Sequence, residues 1–370
     1  MYSIIYLGMN VHINIYSLCV INGVTGEILA ETKCSADISM VLKFVENLKD
    51  VYGQDIQIKA GYEAGCLGYV PYHQLTKHGI DCDILAPTTM HRSSKNKLNK
   101  NDKLDARMIA SNLKNKTYKA VYVLNDDDLA VKEYICMLDD TKIVRKKLKQ
   151  QINAFTLRYG MKYSGKSKWT LSHLKRLKKL ELSPMLKEVL NERLLQYEAL
   201  CDKIERYSEK LNELSHNESY EKQVSLLCCF KGIDTTAAMT LHIEISDFNR
   251  FSSAKEFSSY VGLTPGEDSS GDKTKYLSIM KQGNMTVRST LIECAQSIVK
   301  GTVGKKSKAV KSRQKGQNGV VIAYADRAVE RLQRKYHKMI YRGVNKNKAI
   351  TAVARELACF VCGMEIGHIN

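Results

Sequence analysis

Long apolar runs are missing from this chain. No hydrophobic stretch approaches the roughly 20 residues that a membrane-spanning helix needs. The start, Met1-Tyr2-Ser3-Ile4-Ile5-Tyr6, also lacks the basic segment that opens a secretory signal, so a cytoplasmic location is expected. Paired cysteines are absent as a pattern. The eleven cysteines are odd in number and irregularly spaced, which reads as reduced thiols and not as a disulfide framework. Cys359 and Cys362 form a CxxC, but no second pair completes a zinc site, and both fall in an apolar helical pattern, so a place in the core is expected. Acids are in short supply: 39 Asp and Glu stand against 57 Lys and Arg, a formal charge of +18. An excess of that size points to a polyanionic partner, with a merely basic surface as the duller alternative.

What is present divides the 370 residues into distinct textures, with length enough for two cored domains and a linker. Strand-like alternation covers Ile4–Met9, Ile13–Ile21 and Glu27–Cys34, with Asn22-Gly23 and Thr25-Gly26 supplying turns between the last two. Spacing through Met40, Val41, Phe44, Val45 and Leu48 predicts a helix over Ile38–Val51. A fourth strand, Gln57–Tyr62, ends in Glu63-Ala64-Gly65. A helix around Tyr69–His78, a strand at Cys82–Ala86 and a helix opening near Asp102 follow. Three antiparallel strands and then alternating helices and strands is the order of an RNase H-like α/β domain.

That order brings position 10, Glu63, and the pair Asp102 and Asp105 together. Three residues apart on a helix, the two aspartates share a face, with Cβ atoms about 5–6 Å apart. Alone, the pair is equally well read as helix capping by Asn101 or Asp102, with the acids favoured by the positive N-terminus. Beside Glu63 and residue 10, it becomes an acidic site for two Mg²⁺ ions in a phosphoryl transfer. Position 10, however, is Asn10, whose amide brings no charge. Weaker metal binding and impaired strand chemistry are therefore expected.

From about Leu129 to Leu214 the pattern turns helical. Leu194, Tyr197, Cys201, Ile204, Ser208 and Leu211 form a coiled-coil seam with one polar break, read either as an intramolecular hairpin or, slightly favoured, as a self-association surface. A basic connector, Lys162–Lys179, holds the single tryptophan, Trp169. Beyond His216 a second unit opens with Leu226–Ala238, a helix, glycine turn and helix that suits either a phosphate-facing hairpin or a plain αα-hairpin. Ser269-Ser270-Gly271 then offers a candidate nucleophile, with Lys281 and Arg288 as cations for the phosphate it attacks. Lys95, Lys97 and Lys100 in the first half, and Lys305, Lys306 and Arg313 in the second, are further candidates for backbone contact, a solvated loop being the equal alternative for the run 300–315. The expected division is 1–125, an acidic RuvC-like domain; 126–216, a helical coiled-coil linker; and 217–370, a mainly α domain carrying the serine.

In this order and at these separations the motifs resemble the transposases of the insertion sequence 110 type. Leu7-Gly8-Met9-Asn10, Tyr62-Glu63-Ala64-Gly65 and Asp102-Lys103-Leu104-Asp105-Ala106 look like the three motifs of their RuvC-like DEDD domain. Gly232-Ile233, Gly262-Leu263-Thr264-Pro265, Ser269-Ser270-Gly271, Lys281-Gln282-Gly283-Asn284, Val287-Arg288 and the stretch Lys348–Arg355 look like their separate transposase domain. The resemblance implies a recombinase guided by a structured bridge RNA that pairs with donor and target DNA. It further implies a serine, here Ser270 or Ser269, that links covalently to a DNA strand, and a working tetramer built from dimers. Two rivals remain from the residues themselves: a metal-dependent nuclease or junction resolvase that cuts and releases, and a non-catalytic RNA or DNA binder.

Overall fold

The structure, a computed structural model, describes residues 4–91, 101–268 and 275–369. It divides into two compact units, Met1–Leu124 and Asn125–Asn370. The first is mixed α/β. Its strands are β1 (Ile4–Val11), β2 (Ile15–Asn22), β3 (Ile28–Ser35), β4 (Gln57–Glu63) and β5 (Asp81–Leu85), in the sheet order β3-β2-β1-β4-β5. β1 to β3 form an antiparallel meander, while β4 and β5 run parallel to β1.

Two helices, α1 (Ile38–Tyr52) and α2 (Val70–Lys77), cover one face of this sheet, and α3 (Asp102–Asn115) covers the other. The division follows the alternation of the strands. Leu7 and Met9 of β1, Leu18 and Val20 of β2 and Ala60 and Tyr62 of β4 bury against Val41, Val45, Leu48 and Leu75. On the opposite face, β1 offers Tyr6 and Gly8, and Tyr6, Cys19, Ile21, Ala106 and Ala110 make a smaller apolar cluster. Gly8 decides how close α3 comes: a Cβ there would meet the Ala106 carbonyl oxygen and the Ala110 nitrogen, each at 2.3 Å. The helix lies with its backbone directly on the strand, which no larger residue permits.

The second unit is mostly helical. It comprises α4 (Asp126–Arg158), α5 (Leu171–Lys178), α6 (Pro184–Leu214), α7 (Glu218–Leu227), α8 (Thr235–Ile245), α9 (Ala254–Tyr260), α10 (Met285–Ile298), α11 (Lys308–Gln314), α12 (Gly319–Tyr341) and α13 (Lys346–Glu365). A small antiparallel hairpin, β6 (Pro265–Glu267) and β7 (Tyr276–Ile279), stands between α9 and α10. α4 and α6 pack antiparallel, as the contacts of Arg145 with Cys201 and of Arg193 with the Gln151 carbonyl show. The α6 seam is used here: Leu194 and Tyr197 pack with Leu148, Ile152 and Phe155, while Ile204 and Leu211 join the main core with Val131, Ile135 and Leu138. Ser208, the polar break, returns its hydroxyl to the Ile204 carbonyl at 2.7 Å. The slight preference for self-association through this seam is therefore corrected: its apolar residues are buried within the chain.

The run 300–315 is an exposed loop only in its first half. Its second half is α11, pinned by Gln314 to the Cys229 carbonyl and to Asp326, each at 3.0 Å. Cys362 is buried in α13, Cys359 beside it is half-buried, and all eleven cysteines are free thiols. No helix among the described residues is long and apolar enough to cross a membrane.

The close approach at Gly8 yields a test. Gly8→Ala forces a methyl into the α3 backbone, an overpacking at the upper end of the usual range, so a loss of about 3 kcal/mol is expected. A urea titration followed by circular dichroism measures it, and an unchanged midpoint would show that α3 does not rest on β1 as described.

Candidate functional site at the end of the sheet

The ends of β1 and β4 build the site by register. Asn10 pairs with Ser17 on β2, which pairs with Lys33 on β3. On the other side Met9 pairs with Tyr62 on β4, which sets Glu63 beside Asn10 one step further on. Lys33, Ser17, Asn10 and Glu63 thus form one row across the sheet. Residues two apart on a strand share a face, so this row lies on the Gly8 side, the face that α3 covers. Since α3 rests on Gly8 through Ala106, its first turn reaches the neighbouring row and brings Asp102 over Asn10.

The row before it holds α3 in place. Glu31 of β3, in register with Cys19 and hence with Gly8, takes a two-pronged hydrogen bond from Arg107, with Arg107 Nη2 at 2.8 Å from Oε2. Lys103 adds an ion pair to the same carboxylate at 3.0 Å. These two cations, Arg107 first, hold the Glu31 carboxyl down at about 2, and the reciprocal bond raises Arg107. Burial, reinforced by the Glu31 charge, pushes the Cys19 thiol up to about 12, so it stays protonated and inert under the helix. Asn101 caps α3 by accepting from the Lys103 amide at 2.9 Å. That resolves the capping question: Asn101 is the cap, and Asp102 and Asp105 are left with their side chains in the first turn.

Around Asp102 three polar atoms meet. Asn10 Nδ2 lies 3.5 Å from Asp102 Oδ1 and 3.3 Å from His12 Nε2, and His12 Nε2 lies 3.4 Å from the same Oδ1. Lys33 Nζ faces the second oxygen, Oδ2, at 3.9 Å. Glu63 and Asp105 are half-buried at the same end of the unit. His12 and Lys33 were not singled out from sequence. His12 follows Asn10 by two in the strand alternation, a usable signal, whereas Lys33 reaches the site only through a register two strands wide. Among the described residues no three His, Cys, Asp or Glu side chains gather to hold a metal ion.

The second unit places its motif residues differently. Gly262 and Gly283 have positive φ, and a Cβ on either would strike backbone, the Gln282 oxygen at 2.2 Å for Gly262 and the Tyr260 oxygen at 1.7 Å for Gly283. The two motifs are therefore one packed turn, into which Arg288 donates at 2.9 Å to the Val261 carbonyl. Lys281, at a φ of 59°, is exposed beside it. Lys305 is exposed, but Lys306 pairs with Asp326 and Gln314, and Arg313 donates to the Cys228 carbonyl at 3.0 Å. Those two cations are engaged within the protein. At the hairpin of α7 and α8, Asp234 caps α8 by accepting from the Ala237 amide at 2.9 Å, so that donor already has a partner. Ser269 and Ser270, in the connection from β6 to β7, and Lys95, Lys97 and Lys100 lie outside the described residues.

A DEDD-type transposase family profile matches residues 7–159, and the profile described as the transposase IS116/IS110/IS902 family matches residues 224–310. The protein y4qE of Sinorhizobium fredii, named as a transposase, is 31% identical over 301 residues, covering 81% of this chain and 73% of its own length. The chain belongs to the IS110 family of transposases. The transposase of insertion sequence IS1533 from Leptospira borgpetersenii is 28% identical over 90% of this chain and 96% of its own. That of IS1111A from Coxiella burnetii is 27% identical over 69% and 71%. The first family match contains Asn10, Glu63, Asp102 and Asp105. The second contains both serines, Lys281, Arg288, Lys305 and Lys306, and ends before Arg313.

The Glu31 clamp makes the stability of the first unit depend on acid. Its folded-state carboxyl sits at about 2 against the usual 4.5, so its contribution is complete above about pH 4.5 and is lost as pH falls towards 2. Thermal melts across that window should show a steep fall in the wild type and a flatter one, from a lower plateau, in Glu31→Gln. Parallel curves would mean that the clamp carries no linkage.

Proposed function

We propose that this chain is an insertion-sequence recombinase whose first unit is an RNase H-like strand-transfer domain and whose second carries the DNA-attaching serine. The observation that carries the reading is Asp102 brought to 3.5 Å from Asn10, with Glu63 next to Asn10 in the register of β1 and β4, in a family of DEDD transposases. The sheet order β3-β2-β1-β4-β5, with three antiparallel strands followed by two parallel ones, supports the RNase H-like assignment. The division into an acidic domain (1–125), a helical spacer (126–216) and a serine domain (217–370) belongs to the same proposal.

The residues fit a divalent ion in their chemistry, since Glu63, Asp102 and Asp105 are hard oxygen donors and Asn10 can turn its amide oxygen inward. The group as found is short of one negative charge, because position 10 is an amide. When bound, Mg²⁺ would polarise the phosphoryl oxygens and favour ionised hydroxyls. Glu63, Asp102 and Asp105 are the acids that would hold it, and since they do not gather around one point as described, ion binding would have to draw them together. Asn10 orients Asp102 by donating to its Oδ1, and the Glu31–Arg107 clamp keeps α3 from moving away.

In the covalent step the Oγ of Ser270 or Ser269 forms a bond to phosphorus while a phosphorus–deoxyribose oxygen bond breaks. The serine proton ends on the departing sugar oxygen. Attack by a hydroxyl of a second strand then reverses the exchange and frees the serine, so one phosphodiester is traded for another and no nucleotide hydrolysis is needed. Lys281, exposed on its turn, would steer the phosphate, and the excess of +18 suits a protein that holds donor DNA, target DNA and an element-encoded guide RNA. A dimer-to-tetramer assembly in the cytoplasm completes the proposal.

The test mixes Asn10→Asp protein with donor and target DNA, RNA transcribed from the element's flanks, and Mg²⁺. A covalent protein–DNA adduct on denaturing gels, lost in Ser270→Ala or Ser269→Ala and formed at least about tenfold faster than with wild type, is expected from the restored charge. Free ends without adduct would identify a cut-and-release nuclease, and unchanged DNA under every metal condition would identify a binding protein. Either outcome overturns the proposal.

A further inference from the structure

We propose that His12 is a metal ligand of this chain, forming with Asn10 and Asp102 a three-point site for a divalent transition-metal ion, Mn²⁺ above Mg²⁺. The inference rests on the acidic-site reading of the proposed function and deepens it by naming the ion and a ligand outside the four motif positions.

Three distances carry it. Asn10 Nδ2, His12 Nε2 and Asp102 Oδ1 are separated by 3.3, 3.4 and 3.5 Å, a near-equilateral triangle. Ligand atoms bound to a cation at about 2.0–2.2 Å, with tetrahedral or octahedral angles, stand roughly 3.0–3.5 Å from one another. The triangle therefore has the dimensions of one face of a coordination shell. As it stands, the amide donates into the triangle. Rotation of Asn10 about its last torsion exchanges Nδ2 for Oδ1 at almost unchanged shape, and the amide oxygen then joins an imidazole nitrogen and a carboxylate oxygen.

The arrangement is also open to an ion. The His12 and Asp102 side chains are 56% and 47% exposed, so entry requires no opening of the core. Lys33 stands on the far oxygen, Oδ2, which leaves Oδ1 turned towards Asn10 and His12. Charge and softness then select the ion. With an amide at position 10 the site has lost a carboxylate that a strongly hydrated Mg²⁺ would need, whereas an imidazole nitrogen adds more to binding of a transition-metal ion than of Mg²⁺. The same substitution that weakens an all-oxygen magnesium site thus leaves a mixed nitrogen and oxygen site in its place.

Binding can be read without strand chemistry, by isothermal titration and by the EPR signal of Mn²⁺, on the full chain. Wild type should take Mn²⁺ at least about tenfold more tightly than Mg²⁺, and His12→Ala should lose about tenfold or more in Mn²⁺ affinity while its Mg²⁺ affinity moves less than about twofold. His12→Cys should regain binding with a preference for Cd²⁺, a rescue that a purely hydrogen-bonding histidine would not show. Equal Mn²⁺ affinity in wild type and His12→Ala overturns this inference and leaves the acidic-site reading intact. Absence of ion binding in both wild type and Asn10→Asp overturns it together with the metal half of the proposed function.

Discussion

The packing of α3 directly on β1 is the constraint from which the rest of the first unit follows. A helix axis normally stands off a sheet by the height of the intervening side chains. At Gly8 there is none, and the Ala106 carbonyl and Ala110 amide occupy the space that a Cβ would take. Small residues at 106 and 110 on the helix complete the contact. With the helix that close, its first turn overlies the strand ends, and the aspartate at its first position meets a residue at the end of the strand beneath. The Glu31 carboxylate, gripped by Arg107 and Lys103, fixes the remaining freedom of the helix to slide or rotate. Charge is placed economically there, since the clamp consumes two cations of α3 one row away from the polar triangle and leaves Lys33 to face Asp102.

The second unit relies on the same device in a different setting. Gly262 and Gly283 sit in backbone conformations that side chains disfavour, each against backbone of the other's turn, so two sequence motifs twenty residues apart are one structural feature. Asn284 extends it by donating to the buried carboxylate of Glu244 at 2.7 Å, which also pairs with Lys132 at 3.1 Å, so the turn is tied to α8 and α4. The candidate cations of this unit divide into two groups: Arg288, Lys306 and Arg313 stabilise the fold, while Lys281 and Lys305 remain at the surface. Counting positive charges in a sequence cannot make that division, because a guanidinium that caps a carbonyl and one that meets a phosphate are the same residue.

Much of the architecture was legible. The strand pattern of residues 3–34, the helix after Ile38 and the strand ending at Glu63 appear within two residues of their expected bounds, since turn residues and period-two alternation are local signals. The candidate acids were legible as types and spacings. His12 was overlooked although it stands two residues beyond Asn10, because a histidine after a strand is unremarkable until Asp102 is brought to it from 90 residues away. The α6 seam is apolar as its spacing indicates, and of its two open readings the intramolecular hairpin with α4 holds over the slightly favoured self-association: a heptad-like stripe reports that something must cover it, not what.

The sequence by itself determined the element types, the scarcity of negative charge, the amide at position 10 and the motif order that marks the family, all of which depend on residue identity and short spacing. Only the tertiary structure decided which cations are spent on the fold, which helix covers the α6 stripe, and that Asn10, His12, Lys33 and Asp102 share one end of the sheet. The physical reason is that these follow from strand register and from the depth at which α3 packs. Both are set cooperatively by many distant contacts and are written in no single stretch of the chain.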